Sequence, residues 1–259
     1  IMPSLVGSEM CIRDRYTAYL SMESAVFFDA YFRKNQIPDP PIFHPDRLYI
    51  GNAFCPHLAP TEEELFALMD KACRESFAVT LVFPFLLEGN LLETQQRLQR
   101  LVEWCEQKNK IIEIVVNDWG TAHLAAQLPV FSLCLGVLLN KRKKDPRLSY
   151  LKSRLPDKDT GLLAENSLNA DFYQKALEKN LGFVRYEWES CGYQQRFPEG
   201  KNSLHLPFYQ TNTSQYCTLY AQYRERNRGR QYLQTECPGY CQMQAFLYPE
   251  HLHMTGSYN

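Results

Sequence analysis

The chain has 259 residues, 45% of them hydrophobic and 22% charged, with a formal net charge of -1. That is enough apolar material for one sizeable core, and a balance that exerts no global pull toward nucleic acid or an anionic membrane. No apolar run of about 18 residues or more and no charged-then-apolar leader occurs, which predicts a cytoplasmic protein without a membrane span.

Taken in chain order, residues 1–15 read unlike the rest. The stretch Pro3-Ser4-Leu5-Val6-Gly7-Ser8-Glu9-Met10-Cys11-Ile12-Arg13-Asp14-Arg15 resembles a translated sequencing adapter. It is set aside as an artefact, Cys11 with it. One α/β domain is expected over 16–259, and the polar stretch Met254–Asn259 suggests that the natural chain continues. Pro38–Pro45, with four prolines, reads as an arm or linker.

Short apolar segments rich in β-branched and aromatic residues then predict strands at Arg47–Phe54, Ala78–Phe85, Ile111–Val116, Phe131–Leu139, Phe183–Trp188 and Ser203–Tyr209. Helices fall between them. Thr61 with Glu64 forms a capping box ahead of Leu65, Phe66 and Met69. Leu91, Leu92, Leu98, Leu101 and Val102 give helical spacing over Leu91–Lys108. Ser167–Asn180 is a further helix, with Gly182 at its C-terminal stop. Lys141–Gly161 reads as a polar, charged loop.

Alternating strands and helices imply parallel strands with right-handed crossovers, in either an open doubly wound sheet or a closed barrel. Neither G-x-G-x-x-G nor G-x-x-x-x-G-K is present, which weighs against a dinucleotide or P-loop protein.

Nine cysteines are many for this length. Most read as small buried hydrophobes: Cys73 and Cys105 on helical patterns, Cys134 within a strand. In a reducing compartment a cluster of the remainder points first to metal. Cys237 and Cys241 flank Pro238-Gly239-Tyr240, a tight turn that lets two thiolates face one ion or cluster. Cys217 precedes them across an arginine-rich loop, and Cys55 directly follows the first strand. A parallel α/β fold gathers strand C-termini at one face, where Cys55 would meet the late cysteines. Four thiolates satisfy a [4Fe–4S] cluster or a structural zinc. One short pair and two distant singles tilt the choice toward the cluster, since zinc sites favour two short pairs. Cys191, after the fifth strand, is the rival ligand.

Leu48-Tyr49-Ile50-Gly51-Asn52-Ala53-Phe54-Cys55, Val116-Asn117-Asp118-Trp119-Gly120, Leu138-Leu139-Asn140-Lys141 and the closing Cys217…Cys237-x-x-x-Cys241 occur in an order and spacing that resemble the collagenase-like peptidase family U-32. The branch it resembles is the smaller subunit of the oxygen-independent ubiquinone-hydroxylation pair. The likeness covers roughly Arg47 to Cys241. It implies a TIM-barrel-like fold, in part incomplete, with a C-terminal cysteine-rich segment and a [4Fe–4S] cluster on Cys55, Cys217, Cys237 and Cys241. It also implies oxygen-independent hydroxylation of a quinone precursor or RNA, and a heterodimer with a larger family member. A non-catalytic, metal-stabilised partner subunit is the alternative, and a peptidase the second. The peptidase reading has little in the residues: no G-x-S-x-G or H-E-x-x-H occurs, and Cys55 with His57 is the only close thiol–imidazole pair.

Polar residues at strand C-termini would ring the barrel mouth: Glu88, Asn117, Asp118, Asn140, Glu189, Tyr209 and Gln210. Of these Glu88, Asn117, Asp118 and Glu189 are the catalytic candidates, with helix capping as the plainer role for Asp118. Arg224, Arg226, Arg228 and Arg230 form an anion-binding candidate, equally readable as a solvated loop. Lys141-Arg142-Lys143-Lys144 reads as a solvated run. His205, within a strand, is expected to be satisfied in the core.

Overall fold

The structure is a computed structural model that describes residues 12–34, 46–140, 154–190, 195–209, 216–227 and 237–240. Six strands occur where the sequence places them: β1 (Arg47–Gly51), β2 (Ala78–Val82), β3 (Ile112–Val116), β4 (Phe131–Leu135), β5 (Phe183–Ser190) and β6 (Lys201–Tyr209). Every neighbouring pair is parallel, and the spatial order is the chain order. A doubly wound sheet reverses its order at a switch point and sends helices to both faces. This one never reverses, so right-handed crossovers stack the helices on one side. The sheet curls as a six-stranded half-barrel, consistent with an incomplete TIM-like arrangement.

One core confirms the one-sided stacking. Outward strand residues Ile50, Leu81, Ile114 and Leu133 share it with helix α3 (Glu62–Arg74) through Leu68 and Met69, and with α4 (Leu91–Lys108) through Leu98 and Leu101. Helix α5 (Trp119–Ala126) adds Ala122 and Ala125. The predicted Thr61 capping box is formed: its hydroxyl accepts from Glu64 N while Glu64 Oε2 accepts from Thr61 N. Leu177 enters the same core from the helix that ends at Gly182, which takes a left-handed φ of 71°.

Three strands stop short of their predicted ends. Gly51 ends β1 at a φ of 123°, and Pro84, which has no N–H to donate, follows β2 closely. After β4, Leu139 N and Asn140 N both donate to Gly136 O, turning the chain out of the sheet. The helices also depart from expectation. Helix α6 (Asp157–Ala164) overlaps the stretch predicted as a loop, and α7 (Asp171–Leu181) starts after a short 3-10 turn at Ser167–Asn169. Helix α8 (Thr218–Glu225) occupies the first part of the stretch between Cys217 and Cys237 and takes in Arg224.

Before β1 lie α1 (Ile12–Ser21), which takes in the last four residues of the stretch set aside, and α2 (Ser24–Lys34). Tyr16, Tyr19 and Phe28 are buried in the common core, and Gly51 N donates to Tyr16 Oη at 3.1 Å. Lys71 caps the Tyr19 ring at 4.8 Å, and burial pushes that phenol up to about 12. None of the described helices is long and apolar enough to cross a membrane.

Candidate functional site

Cys55 owes its position to the residues just before it. Gly51 lies so close to β2 that a side-chain Cβ there would stand 2.1 Å from Val82 O. Only glycine tolerates both that approach and the positive φ. Buried Asn52 then closes the turn, its Oδ1 accepting from Phe54 N and Cys55 N, both at 2.8 Å. Cys55 is thereby delivered, partly exposed, to the C-terminal edge of the sheet, at the N-cap of a 3-10 turn that carries His57.

Cys217 and Cys237 lie on two late segments that touch each other. Cys217 is the N-cap of α8, and its Sγ accepts from Tyr220 N at 3.4 Å. Cys237 Sγ accepts from Gly239 N at 3.4 Å. The two segments are joined by rings: Tyr240 stacks on Tyr223 at 4.9 Å and lies 6.2 Å from Tyr220. Among the described residues no three His, Cys, Asp or Glu side chains converge as a metal site. Cys241, the fourth expected ligand, and Cys191 lie outside the described residues, as do Arg228, Arg230 and Gln210.

The polar ring at the strand ends is used largely to lash neighbouring loops together. Asn117, buried, donates to Phe83 O at 2.9 Å after β2 and accepts from Leu138 N at 3.3 Å after β4. Asp118 caps α5 through Thr121 N at 2.8 Å and Thr121 Oγ1 at 2.8 Å, and takes Leu86 N at 2.9 Å. Asn140 donates to Glu187 O at 2.7 Å and accepts from Asn166 Nδ2 at 2.6 Å. Glu88 is exposed at the start of a 3-10 turn, and Glu189 is buried near the end of β5. Tyr209 ends β6. Arg224 and Arg226 are exposed, Arg226 in a left-handed conformation at the α8 C-cap.

The main polar constellation is one the sequence did not announce. Period-two alternation turns Arg47, Tyr49, Thr80, Glu113, Arg185, Glu187, Ser203 and His205 toward the concave face. Glu113 is its anchor. It accepts from Arg185 Nε at 2.8 Å, from Arg185 Nη2, from Thr80 Oγ1 at 2.7 Å and from Arg47 Nη1 at 3.4 Å. Arg185 Nη1 donates to Ser203 Oγ. Two residues further along the strands the network opens. Glu187 Oε2 stands 3.2 Å from His205 Nε2, and the Tyr49 ring packs 5.5 Å from the Arg185 guanidinium and 6.2 Å from the His205 ring. Burial, reinforced by Glu187, pushes the Tyr49 phenol well above its ordinary range. Burial likewise pushes up the Cys134 thiol on the same face.

The geometry defines a parallel α/β half-barrel with a charged concave face and partly exposed cysteines in two places. No family model, curated protein or solved structure matches the chain.

Proposed function

We propose that the protein is an iron–sulfur protein of the oxygen-independent hydroxylase type, or a subunit of such an enzyme, acting on a quinone precursor or RNA. Cys55, Cys217, Cys237 and Cys241 would hold a [4Fe–4S] cluster, which supplies one-electron transfer when bound. The observation that carries this reading is the treatment of the two late sulfurs. Cys217 and Cys237 each accept a backbone N–H, and the Tyr240 stack joins their segments. Backbone donors to sulfur are one means by which a protein orients and tunes cluster-ligating thiolates. The Asn52 turn does the equivalent positioning for Cys55. The likeness to the U-32 family supplies the reaction class, and the half-barrel is compatible with its fold.

A partner-subunit role is the second reading. Leu91 and Leu92 at the start of α4, and Trp119 at the start of α5, leave large apolar side chains exposed at the end of the sheet where active mouths form. Such residues suit docking to a larger family member.

The test is anaerobic purification of the full chain, with iron and sulfide analysis and a visible spectrum, beside the Cys237→Ala variant. About four irons and four sulfides per chain, lost in the variant, support the cluster. Zinc in their place, or a folded chain that cannot be loaded with iron and sulfide, refutes the hydroxylase reading.

A further inference from the structure

We propose that Glu187 and Tyr49, with His205 beside Glu187, form a binding site for a small neutral hydroxyl compound on the concave face of the sheet. This site does not depend on the cysteines or on any cluster they hold.

Its basis is a contrast between successive inward positions of the same strands. At Arg47, Arg185 and Ser203, with Thr80 and Glu113 beside them, the network is densely bonded. Both Glu113 oxygens accept hydrogen bonds, and each Arg185 nitrogen donates. Of the buried side-chain atoms in that layer only Arg47 Nε lacks a hydrogen-bond partner among the described residues, and a buried polar network with only a structural role is expected to be nearly closed in this way. Two residues on, at Tyr49, Glu187 and His205, it is not closed. Glu187 is only 3% exposed, yet its Oε1 has no hydrogen-bond partner among the described residues, and the nearest ion-pair contact is Arg185 Nη2 at 3.9 Å. Tyr49 Oη is also buried without a hydrogen-bond partner among them. Leaving such groups empty costs roughly 1–3 kcal/mol each, so an occupant is expected. The step from Arg185 to Glu187 runs toward the C-terminal end of the strands, the end at which barrel proteins bind substrates.

The open groups specify the occupant. Glu187 Oε1 is an acceptor and Tyr49 Oη can donate, so the complementary group both donates and accepts, as a hydroxyl does. Three other facts narrow the charge. Arg185 is already committed to Glu113, and so is not available as the cation that a carboxylate ligand would need. Glu187, with Glu189 two residues on, would repel an anion. An ammonium would satisfy Glu187 but leave the Tyr49 hydroxyl without an acceptor. On the same face Cys134 packs with Val82, Val115 and the Tyr49 ring, which gives the site an apolar floor. A hydroxyl donating to Glu187 Oε1 and accepting from Tyr49 completes both residues, while His205 Nε2 stands 3.2 Å from the other carboxylate oxygen.

The experiment is ligand-observed NMR on the full chain, using phenol and cyclohexanol as hydroxyl probes and benzoate and benzylamine as charged comparisons. The expected result is saturable binding of a hydroxyl probe, weakened about tenfold by Tyr49→Phe. A control substitution at exposed Phe172 on α7, Phe172→Ser, should leave it unchanged. Tyr49→Phe deletes one oxygen and should fold; if it does not, Glu187→Gln, which keeps the shape and removes the charge, decides by the same criterion. No hydroxyl binding up to millimolar probe, unchanged binding in the variant, or preference for benzylamine overturns the proposal. The first of these means that the two groups are served by ordered water alone.

Discussion

Arg185→Met is the sharpest test of how the concave face is held. The substitution keeps most of the side-chain volume but removes a guanidinium whose nitrogens bond Glu113 and Ser203. Glu113, itself buried, keeps only Thr80 at 2.7 Å and Arg47 at 3.4 Å. Breaking a buried pair by removing one partner typically costs about 3–5 kcal/mol, because the other charge stays in a low-dielectric site. For a chain of this size that corresponds to a fall in melting temperature of roughly 6–20 °C. Urea unfolding followed by tryptophan fluorescence would measure it, with Trp188 on β5 as a nearby reporter. The partner variant Glu113→Gln and the double variant close a cycle. The double variant should be more stable than the sum of the two losses predicts, by about 0.5–3 kcal/mol. A single-variant loss below about 1 kcal/mol, or strict additivity, would show that the network does not hold the strands together.

Gly51→Ala should destabilise by at least about 1–3 kcal/mol, from the positive φ alone, before the close approach to Val82 O is counted; a change under 0.5 kcal/mol in urea midpoint analysis, roughly the scale of a neutral surface substitution, would refute it. Thiol labelling of the metal-free folded protein, read by peptide mass spectrometry, should spare Cys134 and Cys105. Burial pushes the first thiol well up and the second to about 11, whereas Cys217 and Cys237 are partly exposed and should react first. Asp70 accepts from Lys108 at 2.9 Å and from Trp104 Nε1 at 3.2 Å, and the Lys108 bond first of all holds its carboxyl below the ordinary value. A depressed folded-state value contributes stability above the unfolded pKa of about 4, and loses it as pH falls through the folded value. Asp70→Asn should therefore flatten the acid limb of the stability curve below about pH 4, and an unchanged limb would sink the assignment.

The sequence carried the strands because burying both faces of a parallel sheet demands short apolar runs, and Ile112–Val116 and Phe131–Leu135 answer that demand locally. It also carried the Thr61 and Gly182 punctuation and the capping role of Asp118, each a matter of a few neighbouring residues. Helix α5 escaped because its Trp-Gly-Thr-Ala-His-Leu-Ala-Ala run has no strong apolar stripe. Helix α8 escaped because arginines and tyrosines fit an exposed loop equally well.

By itself, then, the sequence determined the alternation of strands and helices, which follows from hydrophobic period. It left open whether the sheet is wound to both sides or curls. Strand order decides that, and order depends on contacts between residues far apart in the chain. The same holds for the concave face. The spacing Arg185, Glu187, Glu189 within an aromatic strand is visible in the sequence, but an ordinary half-exposed strand shows the same alternation. Only the curl of the sheet turns those charges inward. There burial makes each of them find a partner across strands, as Glu113 and Arg185 do over a separation of 72 residues, or stand ready for one, as Glu187 does.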